Sequence, residues 1–221
     1  MAAEGGIDAF LTFMGGTAGR KSAPEIRGET QDDSETHGDW PPSLQIQGYD
    51  LSFEMTAEST EETTTKMGDS TAHNPEFQPA TVTKLIDKAS PLLLQAMYMA
   101  AQYDEVWISQ RKAGGAKGKS GVYFWYVKLE KVSIKNLKWS ASESGYPTET
   151  ITLEYDKITA YYFPQKPSGE VDPNPIQTDE SLDQRAPSKT KKGGKAELTT
   201  SQSADIVEQV IKKLRAQHLI K

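Results

Sequence analysis

The stretch Thr81–Gly115, TVTKLIDKASPLLLQAMYMAAQYDEVWISQRKAGG, decides the fold. Val82, Lys84 and Ile86 alternate with Thr83, Leu85 and Asp87, which predicts a mostly buried strand. Ser90 is expected to cap a helix start, and Pro91 tolerates the first helical position. Leu94, Met97, Tyr98 and Ala101 then recur at helical spacing as one apolar stripe. Val106, Trp107 and Ile108 resume as strand, and Ala113-Gly114-Gly115 turns the chain. No other segment in the first three quarters of the chain carries a convincing helical pattern. The expectation is one helix pinned to the side of a β-sheet body.

Upstream, Ile7–Met14 (IDAFLTFM) is a short apolar strand with Ala9, Leu11 and Phe13 on one side, ended by Gly15-Gly16. Residues 17–42 are polar and acidic, with Glu25, Glu29, Asp32, Asp33, Glu35 and Asp39 against Arg20, Lys21 and Arg27. They read as a solvated loop, because the spacing of a calcium-binding EF-hand is absent. Residues 44–56 (LQIQGYDLSFEMT) give the clearest alternation. Tyr49, Leu51, Phe53 and Met55 point one way; Gly48, Asp50, Ser52, Glu54 and Thr56 point the other. Residues 57–80 form a long polar loop, a length that compact domains carry for a purpose such as partner contact or else leave disordered.

Downstream, strands at 106–112 and 121–134 are joined by a Gly/Lys turn, and Leu137–Ser140 continues the second. Thr150–Phe163 is the closing strand. Its apolar register shifts from Ile151, Leu153 and Tyr155 to Ile158, Ala160 and Tyr162, which predicts a β-bulge at Asp156–Lys157. After Pro164 the composition changes. Three parts result: a β domain over 1–165, a Pro/Gly/Lys-rich linker over 166–202, and an amphipathic helix over 203–221. Ser203 and Asp205 suit that helix's start, and Lys212, Lys213 and Arg215 its end. Glu208 and Lys212 stand four apart in the favourable order. Val207, Val210, Ile211 and Leu214 form a narrow apolar stripe, so the helix is marginal alone and needs a docking surface.

Composition narrows the function. The 221 residues include no cysteine, which excludes a disulfide framework and thiolate metal sites. His37, His73 and His218 are far apart in sequence, which argues against a zinc or facial-triad site. The start of the chain lacks a basic segment and a long apolar run, so neither a Sec-type signal nor a membrane anchor is expected. Charge is uneven: residues 166–221 hold ten Lys/Arg and eight Asp/Glu, and residues 1–165 hold 15 and 23. An acidic body argues against nucleic-acid binding, which needs concentrated Lys/Arg.

Several motifs read more plainly than they look. Residues 113–120 (AGGAKGKS) nearly spell a phosphate loop, but Ala113 stands where glycine is needed and strand-forming residues follow. A hairpin loop is the reading. The run Lys189, Lys191, Lys192 and Lys195 is solvated linker. Tyr123, Phe124, Trp125 and Tyr126 read as core or interface aromatics. Glu149, Glu154 and Asp156 lack accompanying site residues and read as surface carboxylates. With no nucleophile–base signature either, no enzyme and no cofactor are expected.

Four runs carry a resemblance: VTKLIDKASPLLLQA, VWISQRKAGG, YVKLEKVSIKNL and ETITLEYDKITAYYFPQ. Their motifs fall at Asp87–Pro91, Arg111–Gly115, Leu129–Val132 and Glu149–Gln165, and Leu51-Ser52-Phe53 matches an aromatic-Ser-aromatic strand pattern more weakly. In this order they resemble the haemolysin-coregulated protein (Hcp) family, the tube proteins of bacterial type VI secretion systems. The resemblance spans 7–165 and is strong from 80 onward.

It implies a mainly β fold, a compact barrel of two packed antiparallel sheets with one flanking helix, like a phage tail tube. Six copies would close into a ring, and rings would stack within a contractile sheath behind a VgrG-like spike. The protein would reside in the bacterial cytoplasm and then be secreted by the type VI system, with effectors in the lumen. The resemblance makes Ser52, with Asp50 and Glu54, lumen or cargo candidates. It makes residues 57–80 a ring-stacking element, with Glu61, Glu62, Lys66 and Asp69 as candidates. The segment 166–221 lies outside the resemblance and is too small for an enzyme core. It reads as a docking element, or as a tail that recruits cargo or a chaperone to a specialised effector carrier. A free-standing barrel that binds small molecules is the remaining class.

Overall fold

The computed structural model describes residues 6–29, 43–57, 73–112, 122–143, 145–165, 172, 174–178 and 182–183. Their strands are β1 (Ile7–Met14), β2 (Thr17–Ala18), β3 (Lys21–Ser22), β4 (Leu44–Ile46), β5 (Gly48–Asp50), β6 (Phe53–Ala57), β7 (His73–Phe77) and β8 (Ala80–Leu85). After the helix α1 (Ser90–Tyr98) come β9 (Gln102–Lys112), β10 (Val122–Ser140), β11 (Thr148–Glu154), β12 (Lys157–Tyr162), β13 (Ile176–Gln177) and β14 (Leu182–Asp183). Twelve strands form one antiparallel sheet, and β6 and β7 form a separate hairpin.

The 19-residue β10 is the seam of this sheet. Along one side it pairs with β9, and along the other it pairs first with β12 and then with β11. Outward from β11 lie β8 and β5; outward from β9 lie β1 and β4. Gln47 alone separates β4 from β5, and its N–H donates to the Thr83 carbonyl at 2.8 Å. One short stretch of chain therefore pairs with β1 and then with β8, so the sheet wraps around its core. Ala9, Leu11 and Phe13 of β1 meet Val106 and Ile108, Val127 and Leu129, and Ile151 and Leu153 there. Burying each such side chain contributes roughly 1.5–3 kcal/mol.

The sheet is apolar on its outer face as well. Phe10, Trp107, Tyr123, Tyr126, Tyr161 and Phe163 form a second buried cluster. A register shift between Tyr123 and Trp125 inserts one residue in β10, so Tyr123 and Tyr126, three apart, can share a face. Their rings stack at 5.8 Å. This is the core role expected of these aromatics.

The structure changes several expectations. The helix buries Leu93 and Ala96, whereas Leu94 is 41% exposed and Tyr98 91% exposed. The sheet beneath sets the buried face: Met97 of the expected stripe packs on the core, and Ala101 enters it from beyond the helix end at Tyr98, after Ala100 turns the chain at φ 49°. The single strand expected over 44–56 is divided into β4, β5 and β6, since its segments pair with three different strands. Part of the polar stretch 57–80 is strand, with Phe53 opposite Phe77 and Ala57 opposite His73. Part of 17–42 is also built in: β2 and β3 form a small hairpin, and Ile26 is buried. A Cβ on Gly28 would lie 2.2 Å from the Ser43 carbonyl oxygen, so only glycine fits where these segments pass.

The bulge is displaced too. The β10–β12 and β10–β11 ladders keep one register across Asp156, with Glu130 opposite Lys157 and Ser133 opposite Glu154. The extra residue sits in β10, between Ile134 and Asn136. The apolar pattern shifts along Thr150–Phe163 because the strand breaks at Tyr155–Asp156: Ile151, Leu153 and Tyr155 reach the inner core before the break and Ile158 after it, and β10 turns in step at Lys131 (φ 56°), between Leu129 and Val132.

Candidate functional site

The signature segment is held by a buried polar network. Lys84 lies on the inward side of β8, like Val82, and its Cα partner on β11 is Glu149. Both side chains are 0% exposed. The Lys84 ammonium donates to Leu85 O (2.6 Å), Asp87 Oδ1 (2.8 Å), Glu149 Oε2 (3.2 Å) and Ser90 Oγ (3.3 Å). Ser90 Oγ accepts the Asp87 N–H at 3.2 Å and donates to Glu149 Oε2 at 2.9 Å. The other Glu149 oxygen accepts the Trp139 indole N–H at 2.5 Å. Every polar atom of the Lys–Glu pair is thus occupied, which is what makes a buried ion pair tolerable.

Two expectations are corrected here. Ser90 is the first helical residue, with Ala89 at the cap position, and its hydroxyl turns back to Asp87 and across to Glu149. The Ala89 N–H is instead satisfied by the Asp87 carboxylate at 2.9 Å. Glu149 and Asp156 are buried, not surface carboxylates; Glu154 is exposed and pairs with Lys135 at 3.2 Å. The available signal was a lysine on the apolar side of a strand, which requires a buried anion opposite. Lys84, Ser90 and Glu149 list the ingredients of a nucleophile–base set. However, all three are sealed from solvent and the serine proton is committed to Glu149, so the arrangement serves as a clamp joining β8, α1 and β11.

The lumen candidates lie where the sheet meets solvent. Asp50 and Ser52 are exposed, and the intervening Leu51 and the preceding Tyr49 pack on the core, as alternation requires. Glu54 is exposed in β6, directly opposite Glu76 of β7. The alternation fails at Phe53, which is exposed because β6 leaves the main sheet to pair with β7. Tyr49 anchors the stretch by accepting the Trp125 indole N–H at 3.0 Å. Burial raises the Tyr49 phenol pKa, and that hydrogen bond partly opposes the rise.

Glu61, Glu62, Lys66 and Asp69 lie outside the described residues, as do Val207, Val210, Ile211 and Leu214. Residues 113–120 do too, but Lys112 pairs with Val122 across them, in keeping with a hairpin. Among the described residues no group of three His, Asp or Glu side chains is placed to hold a metal. An open groove of about 250 Å³ lies beside Glu76, Lys135, Glu154 and Tyr155. The buried Tyr155 hydroxyl has no hydrogen-bond partner, and burial pushes its pKa up to about 12.

The described parts of the extension also touch the main sheet. Tyr161 and Tyr162 of β12 pair with Gln177 and Ile176 of β13, and Lys157 and Ile158 pair with Asp183 and Leu182 of β14. Sequence reasoning missed these strands because two-residue segments have no periodicity to detect.

Comparisons with known proteins agree with this architecture. Residues 10–162 match the family model described as type VI secretion system effector, Hcp. The chain is 30% identical over 100 residues to Protein hcp1 of Pseudomonas aeruginosa, a span of 45% of this chain and 60% of that protein's length. Its fold is similar to that of a solved type six secretion system protein, with TM-score 0.58 and 19% identity over 77% of this chain and 92% of the other. Hcp1 from Salmonella typhimurium is similar at TM-score 0.52 and 17% identity, over 77% and 91% of the two chains. The family match reaches from β1 into β12 and takes in the clamp, and on it the chain belongs to the Hcp family of type VI secretion tube proteins.

Proposed function

We propose that this chain is a structural subunit of the type VI secretion inner tube. Six copies close into a ring, and the rings stack inside a contractile sheath behind a VgrG-like spike. Sheath contraction ejects the tube, and secreted effectors travel in its lumen. The family match across 10–162 carries this reading. The wrapped sheet supports it, with a stretch that is polar at Asp50 and Ser52 and packed on the core at Tyr49 and Leu51. In this assignment Asp50, Ser52 and Glu54 face the lumen, and Glu61, Glu62, Lys66 and Asp69 contact the next ring. The helix 203–221 docks through Val207, Val210, Ile211 and Leu214 at the end of the 166–202 linker.

Negative-stain images of the purified protein test the reading. Six-fold rings are expected, and particles that stay single-copy at every concentration would overturn it. A second reading makes the protein a specialised carrier whose extension recruits cargo or a chaperone; the pairing of β13 and β14 with β12 favours it by laying the extension along the main sheet. Deleting 166–221 separates the two. Loss of one effector with rings and secretion intact supports the carrier, and loss of stacking makes the extension structural.

A further inference from the structure

We infer that the outer edge of β12 is a contact surface for a strand of a second copy of this chain, and that β13 and β14 cover it in the lone subunit. The inference rests on the tube-subunit reading and adds a named edge and its control. One side of β12 is fully engaged by β10, from Trp125↔Tyr162 to Glu130↔Lys157. Its other side would present the backbone donors and acceptors of alternate residues along a six-residue strand, which is a template for another strand. Among the described residues the extension meets that side with four residue pairs, toward its two ends. One further bond runs from the Thr178 N–H to the Ala160 carbonyl at 3.2 Å.

This cover is weak by its own chemistry. Ile176 remains 66% exposed while paired, so its apolar side chain gains little from docking. The Thr178 hydroxyl is buried without a hydrogen-bond partner, a cost of the docked state. Pro173 and Pro175, just before β13, supply no N–H to the ladder. A continuous strand could pair with all six residues of β12, where the described residues of the cover pair with four, and a second copy has one to offer. Among the described residues, β6 and β7, five residues each, pair only with one another. An edge on one copy meeting a different edge on the next is a heterologous contact, the kind that closes into rings.

The chain has no cysteine, so the cover can be pinned cleanly. Tyr162 and Ile176 are Cα partners and both are exposed, and facing residues of an antiparallel pair fall within disulfide reach. In the full-length Tyr162→Cys/Ile176→Cys double variant, oxidation should raise the concentration at which rings form by about tenfold or more, read by sedimentation velocity and particle images. Reduction of the same sample should restore the wild-type value, which excludes misfolding as the cause. Equal ring formation in both redox states would overturn the inference and leave the tube reading standing. A disulfide linking different chains on a non-reducing gel would also overturn it, by making the extension a bridge between copies instead of a cover. If wild type forms no rings and neither redox state does, the tube reading fails and this inference fails with it.

Discussion

The corner where β8, α1 and β11 meet and the edge where β12 meets the extension are joined by opposite kinds of contact. At the corner, a fully buried cation is surrounded by two carboxylates, a hydroxyl and a backbone carbonyl. At the edge, four backbone residue pairs lie near solvent, with an exposed isoleucine and an unpartnered threonine. Water does not reach the Lys84 or Glu149 side chains at the corner, so removing one strands the other in low dielectric. Water can replace most partners at the edge. The corner therefore fixes the fold, while the edge is the weaker junction.

Breaking the corner should have the largest effect. Lys84→Met leaves Glu149 buried without its cation and should destabilise the protein by about 3–5 kcal/mol in urea unfolding. Adding Glu149→Leu should recover part of that loss; a double variant as unstable as the single would show that packing, not charge, dominates the corner. Close behind comes Leu93→Ala, which empties a fully buried site beneath the helix and should cost about 2–5 kcal/mol by the same measurement. An effect below about 1 kcal/mol would mean that α1 is not part of the core.

A smaller effect of opposite sign is expected at Tyr155. Its hydroxyl is buried without a partner, so Tyr155→Phe should leave stability unchanged or raise it by about 1 kcal/mol. The pH test has a definite sign. Burial raises the folded-state pKa of Tyr155, and of Tyr161 (where Glu130 and Glu105 add to it), from 10.0 to about 12. The stabilisation is fully present below pH 10 and is lost as pH rises through 12. Tyr155→Phe should therefore weaken the fall in Tm between pH 10 and 12, and an unchanged alkaline limb would show that this hydroxyl finds water. The smallest effect belongs to the edge: Ile176→Ser should change Tm by less than about 2 °C, since a largely exposed residue contributes little. A larger loss would erase the contrast between the two regions.

The strands that alternate cleanly, and the segments bearing the family's motifs, were legible from residue order alone. Ile7–Met14 matches β1 end to end, and Leu137–Ser140 does continue β10. Such segments are readable because the period-two pattern and glycine turns are local properties of the chain. The break at Asp156–Lys157 was legible too, but not that β10 turns with it at Lys131, which leaves the ladder in register and puts the extra residue between Ile134 and Asn136. The helix face was misjudged for a related reason. Leu92, Leu93 and Leu94 are equivalent by composition, and only the position of the sheet beneath them selects Leu93.

By itself, then, the sequence determined a cysteine-free, acidic, mainly β chain with one early helix, its longer strands and the motifs of its family. Tertiary structure alone decided that Glu149 is buried, that Ser90 serves Asp87 and Glu149, and that two dipeptides of the extension lie along β12. The physical reason is distance along the chain. Lys84 and Glu149 are 65 residues apart, and no local pattern records that folding will place one carboxylate against one ammonium and exclude water from both.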